Sequence, residues 1–161
     1  MGIWKKVLAA LGAAASVAGC DAGIETLVPG VSTAQEVRSV LGEPTYEWRE
    51  AAGVVVWEYA GPRAGYVTYM VTIGADGIMR TLEQVLTEAY FAKIRPGMDK
   101  AQIRRLIGRP LESMTFPARR EEVWTWRFGP VMPEGIDELH VHFDLDGKVV
   151  TTSRSKFAGP I

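Results

Sequence analysis

Few residues in this chain have the type and spacing that chemistry demands. His140-Val-His142-Phe-Asp144 sets two imidazoles and a carboxylate at alternate positions, which on a strand share one face. Two histidines so spaced can ligate zinc, but the chain has no third histidine, and a site would need a ligand from elsewhere. The same alternation sends Val141, Phe143 and Leu145 to the other face, so the simpler reading is a strand with an apolar core side and a solvated side. No metal is expected. A catalytic reading fails for a related reason. The two histidines lie together on that one strand, and no glycine-rich loop joins a strand to a helix in nucleotide-binding form. The sequence points away from an enzyme, and neither a cofactor nor a small-molecule substrate is expected.

The single cysteine, Cys20, stands at the end of an apolar run and just before Asp21. Lys5 and Lys6 precede an uncharged stretch from Val7 to Gly19, the order of a secretory signal. The stretch is shorter than the roughly 20 apolar residues that a spanning helix needs. Val17-Ala18-Gly19-Cys20 resembles the bacterial lipobox, in which the cysteine becomes the first mature residue and carries acyl chains. That resemblance implies a tether, since several acyl chains on one residue suffice for stable anchoring. In enteric bacteria an aspartate directly after the lipidated cysteine resembles the signal for retention in the inner membrane, so Asp21 is the candidate sorting residue.

Without Lys5 and Lys6 the chain keeps 16 basic and 19 acidic residues, a net charge of −3, and nothing in it recruits nucleic acid. Within this acidic chain Lys93, Arg95, Lys100, Arg104, Arg105, Arg109, Arg119 and Arg120 form a basic stretch. On a tethered protein Lys100, Arg104 and Arg105 are candidates for contact with anionic headgroups, each worth about 1 kcal/mol near the surface. The alternative is a solvated helix face.

These residues are carried by a repeat. Val31-Ser-Thr-Ala-Gln-Glu-Val-Arg-Ser-Val-Leu-Gly-Glu-Pro44 aligns with Gly97-Met-Asp-Lys-Ala-Gln-Ile-Arg-Arg-Leu-Ile-Gly-Arg-Pro110. Val37, Val40 and Leu41 fall over Ile103, Leu106 and Ile107, an i, i+3, i+4 stripe that predicts one short amphipathic helix in each copy. Thr33 with Glu36, and Asp99 with Gln102, have the form of capping boxes. Gly42 and Gly108 suit the left-handed stop, and Pro44 and Pro110 forbid continuation.

After each proline come matching β-branched and aromatic runs: Val55-Val-Trp-Glu-Tyr59 with Glu122-Val-Trp-Thr-Trp126, and Tyr66 to Ile73 with Leu139 to Phe143. Asp76-Gly77 and Asp146-Gly147 then predict hairpins. Each unit reads as a helix followed by about four antiparallel strands, an α+β fold. A further short helix is expected over Thr87–Ile94. With no flexible linker between the copies, the sheets are expected to sit against each other or join. Trp124, Trp126 and Phe128, like Val55, Trp57 and Tyr59, read as core side chains opposite a helix. The other face of the strand differs: Val54, Val56 and Glu58 in the first copy, Val123, Thr125 and Arg127 in the second. If that face of the first sheet is apolar, either the other unit or a partner must cover it.

Gly97-Met98-Asp99, Gln102-Ile103, Leu106-Ile107-Gly108-Arg-Pro110, Trp124-Thr-Trp126 and Leu139-His-Val-His-Phe143-Asp-Leu-Asp146-Gly147 together resemble the SmpA/OmlA family, the BamE lipoproteins of outer-membrane barrel assembly. The resemblance implies an α+β fold, a lipid anchor, no catalysis, and an accessory role exerted by contacting other barrel-assembly components. It covers nearly all of the second unit; family members usually have one such unit, and here there are two. The tandem arrangement is also similar to that of β-lactamase-inhibitory proteins. The expected organisation is a lipoprotein signal over 1–19, a lipidated stalk over 20–28, units over 29–86 and 87–155, and a tail over 156–161. The expected role is a protein-binding scaffold on the periplasmic side of the envelope. The outer membrane is favoured by the family and the inner by Asp21. The runner-up is a periplasmic inhibitor or sensor that grips a protein with a concave sheet. Loops Gly61–Gly65 and Gly129–Gly135 are expected to interrupt the strand pairs at matching places, and Arg63, Tyr66, Met132, Arg119 and Arg120 are the candidate partner contacts.

Overall fold

The two copies of the repeated pattern each fold as one helix packed on one meander of four strands. The structure, a computed structural model, describes residues 23–60 and 66–159. Cys20, Asp21 and Arg63, with the signal and lipidation readings, lie outside the described residues.

In the first unit α1 (Ala34–Leu41) is followed by β1 (Tyr46–Arg49), β2 (Val55–Ala60), β3 (Thr68–Ile73) and β4 (Met79–Gln84). In the second, α2 (Glu88–Phe91) and α3 (Lys100–Ile107) precede β5 (Glu112–Phe116), β6 (Glu121–Met132), β7 (Gly135–Phe143) and β8 (Val149–Phe157). Each sheet has its strands in sequence order and pairs them antiparallel throughout.

Both predicted capping boxes are formed. The Thr33 and Asp99 side chains accept from the Glu36 and Gln102 N–H groups, and those side chains return the bond to the cap N–H. Gly42 (φ 79°) and Gly108 (φ 81°) end the helices. Each cap also pairs with its own sheet: Thr33 bridges to Ile78 and Asp99 to Lys148. The helix is thereby pinned across the last hairpin of its unit, and its apolar stripe is turned onto the sheet. Val37 packs on Trp57, Tyr59, Val71 and Ile73. Ile103 and Ile107 pack on Trp126, Leu139, Val141 and Phe143. The aromatics expected in the core are there.

Several details differ from the expectation. The helix expected over 87–94 is only α2, and the Thr87 side chain makes no cap bond. The stretch Gly129–Gly135 does not interrupt its strand pair: β6 absorbs a bulge between Phe128 and Met132 and runs on to a tight hairpin where Met132 faces Gly135. A positive φ at Gly129 (76°) accommodates that bulge. Within the stretch read as stalk, a 3-10 turn (Ile24–Thr26) leads to Leu27, which is buried in the first core. The tail begins later than 156, because β8 reaches Phe157. Leu145 is 62% exposed rather than core, since β7 ends at Phe143. Asp144 accordingly leaves the histidine face, and its carboxylate accepts from the N–H groups of Asp146 and Lys148 to hold the turn.

Candidate protein-binding site

The second face of the first sheet is covered by the second unit. Val56, Glu58, Met70 and Val85 on that face are buried. Where α3 ends, the two units are joined by hydrogen bonds and ion pairs. The Glu58 carboxylate, fully buried, accepts from the Arg109 N–H at 2.9 Å. Its other oxygen stands 3.8 Å from Arg104 Nε, and both of these buried atoms lack a hydrogen-bond partner. Gly108 is required here twice over. Its φ is 81°, and an added Cβ would sit 2.7 Å from Thr68 Cγ2 and 3.3 Å from Glu58 Oε1. Around this point Tyr46 and Trp48 meet edge to face at 4.7 Å, Arg104 lies over Tyr46 at 4.4 Å, and Arg105 lies over Trp48 at 5.5 Å while binding Glu50 at 2.6 Å.

Beside the joint runs an open groove of about 660 Å³ between the first sheet and α2 and α3. Trp48, Met70, Val85, Tyr90, Met98 and Leu106 form its apolar lining. Aromatic and methionine side chains with an arginine at the margin are the composition found where proteins bind one another. Burial pushes the Tyr90 hydroxyl up to about 12, reinforced by its hydrogen bond to Glu83, so its one proton is held by that carboxylate.

The cations chosen as headgroup contacts are engaged within the protein. Lys100 binds Glu122 at 2.6 Å and lies 5.8 Å from the Trp124 ring centre. That ammonium holds the Glu122 carboxyl below the usual carboxylate range, with help from the Trp124 and Ser113 donors. Arg104 and Arg105 belong to the joint. The other candidates are dispersed. Arg119 binds Glu121 at 3.4 Å, and Arg120 takes a left-handed φ of 55° in the turn entering β6. Met132, 45% exposed, stands at the far end of the same strand, roughly 35 Å away at about 3.3 Å per residue. Tyr66 is half-buried in the turn before β3. The residues that gather at the joint, Tyr46, Trp48, Glu50, Glu58 and Tyr90, were not among the candidates. Glu58 alone left a sign, as a carboxylate inside an otherwise apolar strand.

The outer face of the second sheet is open and polar. His140 shares hydrogen bonds with Thr125 (2.9 Å) and Ser155 (2.8 Å), and Ser155 donates to Glu138, which also accepts from Arg127. His142 lies between Glu121 (3.3 Å) and Ser153 (2.8 Å). All four ring nitrogens thus have protein partners, and among the described residues no three His, Cys, Asp or Glu gather as a metal site.

No curated protein is significantly similar to the chain in sequence. Among solved structures, a DUF4309 family protein, YjgB, from Bacillus subtilis subsp. subtilis str. 168 is similar at 15% identity and a TM-score of 0.32, covering 81% of this chain and 82% of that one. A putative β-lactamase inhibitor protein from Streptococcus mutans is similar at 11% identity and a TM-score of 0.30, over 77% of this chain and 82% of that one. The second unit answers to a family description: residues 83–153, which hold α2, α3 and the second sheet as far as Ser153, match the outer membrane protein assembly factor BamE domain.

Proposed function

We propose that the protein is a lipid-anchored, non-catalytic binding scaffold of the cell envelope that assists the assembly of β-barrel proteins in the outer membrane. The match of residues 83–153 to the BamE domain carries this reading. Cys20 is the tether, and the BamE match favours the outer membrane as its destination over the inner-membrane retention that Asp21 resembles a signal for. Among the described residues no helix is long and apolar enough to cross a membrane. Anchoring confines the chain to a surface and raises its effective concentration near membrane-bound partners, so a modest interface suffices. The groove beside the joint is the first such interface. The hairpin tip at Met132, the turn at Arg119 and Arg120, and the connection holding Arg63 and Tyr66 are further contacts. Lys100, Arg104 and Arg105 face the headgroups only as far as their internal ion pairs permit.

The test is affinity purification of the tagged full chain from native envelopes in mild detergent, with co-purifying proteins identified by mass spectrometry. Recovery of the central barrel-assembly protein, lost on Ala101→Glu at the exposed margin of the groove, is the expected result. Recovery instead of a soluble periplasmic protein would overturn the assembly role and favour an inhibitor or sensor. Cys20→Ser is expected to abolish incorporation of labelled fatty acid and release the chain from the membrane fraction.

A further inference from the structure

The free edge of the second sheet is a strand of unusual character for an edge. β8 runs nine residues, and from Val150 to Lys156 every residue is exposed. The opposite edge, β5, has five residues and is bounded by Pro110 and Pro117, while β1 has four. At Val149 the outer side is closed by bonds to Gly97 N–H and Met98 C=O; beyond it the strand is paired on one side only and presents a row of backbone N–H and C=O groups to whatever lies there. Thr151, Thr152, Ser153 and Ser155 fill most of the row, and none of its residues is a proline.

We propose that a second copy of this chain pairs here, β8 against β8, antiparallel about a two-fold axis through Ser153. The side chains select both the partner and the register. With Ser153 facing itself, Thr152 stands opposite Arg154, Thr151 opposite Ser155, and Val150 opposite Lys156. Every residue of the exposed stretch is paired, hydroxyls meet hydroxyls on the outer face, and no like charges are opposed. The exposed Val150 meets the methylene stem of Lys156. Centring on Arg154 would put that guanidinium opposite its own copy. Centring on Thr152 would shorten the pairing to Val150–Arg154 and bring Lys148 against Lys156. The bulge between His142 and Phe143 breaks the strand's alternation at Val150 and so marks where the self-complementary stretch begins. Such an isologous contact closes on itself and builds no fibre. It joins two four-stranded sheets into one, with both copies of His140 and His142 on the same broad face.

Cysteine cross-linking in the full chain tests this, carried out in native envelopes with the parent chain as the Cys20 background. Ser153→Cys should give a disulfide-linked dimer on mild oxidation, because residues directly opposed across antiparallel strands have Cβ atoms about 4.5–5.5 Å apart. Thr152→Cys and Arg154→Cys, each of which faces a different residue, should not. In detergent, Ser153→Lys should run as a monomer, and mixing it with Ser153→Glu should restore a dimer containing both. No Ser153→Cys dimer, or one no more abundant than from Thr152→Cys, would overturn the proposal, provided circular dichroism shows the fold intact. A cross-link from Ser153→Cys to a different protein would also overturn it.

Discussion

On the first sheet Glu58 and Met70 stand opposite each other in the β-ladder; on the second, the same places hold Thr125 and His140. The frame is common to both sheets, and so is the helix on the inner side. Yet the first of these faces is interior and the second is wet. Val56, Met70 and Val85 give up water to the following unit, at about 25 cal/mol per Å² of apolar surface removed. Thr125, Arg127, Glu138, His140 and Ser155 satisfy one another instead. The difference shows what coverage demands of a common frame: the face that another unit covers is largely apolar, and the face left open carries side chains that satisfy one another. It also locates binding potential, since the groove at the joint is what remains where coverage of the first sheet is incomplete.

The largest test of this contrast is at the paired positions. Glu58→Ala removes a buried carboxylate that accepts from the Arg109 N–H and faces the partly exposed Arg104, and should cost about 3 kcal/mol in urea unfolding, whereas Thr125→Ala should cost about 1 kcal/mol. Replacing both partners, Glu58→Leu with Arg104→Met, should recover most of the loss or exceed the parent stability. Equal effects of Glu58→Ala and Thr125→Ala would show that the joint is not an interior.

The two helix-ending glycines give a second comparison. Both have positive φ, but only an alanine at 108 would also press on Thr68 and Glu58. Gly42→Ala should cost about 1 kcal/mol, and Gly108→Ala about 2–4 kcal/mol, read as midpoint shifts. The smallest effect belongs to the rim: Arg105→Ala and Glu50→Ala remove one half-exposed pair, worth at most about 1 kcal/mol and less in high salt.

Acid should not favour either unit. Glu36 and Asp76 in the first unit and Glu122 in the second all titrate below their ordinary range, owing respectively to Thr33, to Arg80 and to Lys100. A carboxyl whose folded value is depressed stabilises the fold above its unfolded value and loses that contribution as pH falls through the folded one. Stability should therefore decline below the ordinary carboxylate range, and Glu122→Gln should flatten the decline in near-ultraviolet melts that report Trp124.

Helices, caps and strands were legible because their signals are local: stripes, cap residues and turn glycines recur within a few positions. The joint was not. Arg105 and Glu50 are 55 residues apart and Arg109 and Glu58 are 51 apart, and no pattern in the chain announces such partners. A basic stretch read along the chain therefore suggested a free cationic surface, whereas Lys100, Arg104 and Arg105 are distributed among their own sheet and the neighbouring one. The open question over the first sheet's second face was correctly posed by Val54, Val56 and Glu58, and three-dimensional proximity answered it. The strand through Gly129 and Pro130 was missed because a bulge tolerates residues that ordinarily signal a loop.

The bridges from Thr33 to Ile78 and from Asp99 to Lys148 also set an order of events in time. Each helix is among the first parts of its unit to be made, but the strand that holds its cap lies some 45 residues later in the first unit. An isolated eight-residue helix is unstable in water, so the opening turn must wait, unformed or flickering, for the closing hairpin. The cap of each helix is therefore completed only once the last hairpin of its unit is present, so in a nascent or translocating chain the helix is the part of the unit that settles late.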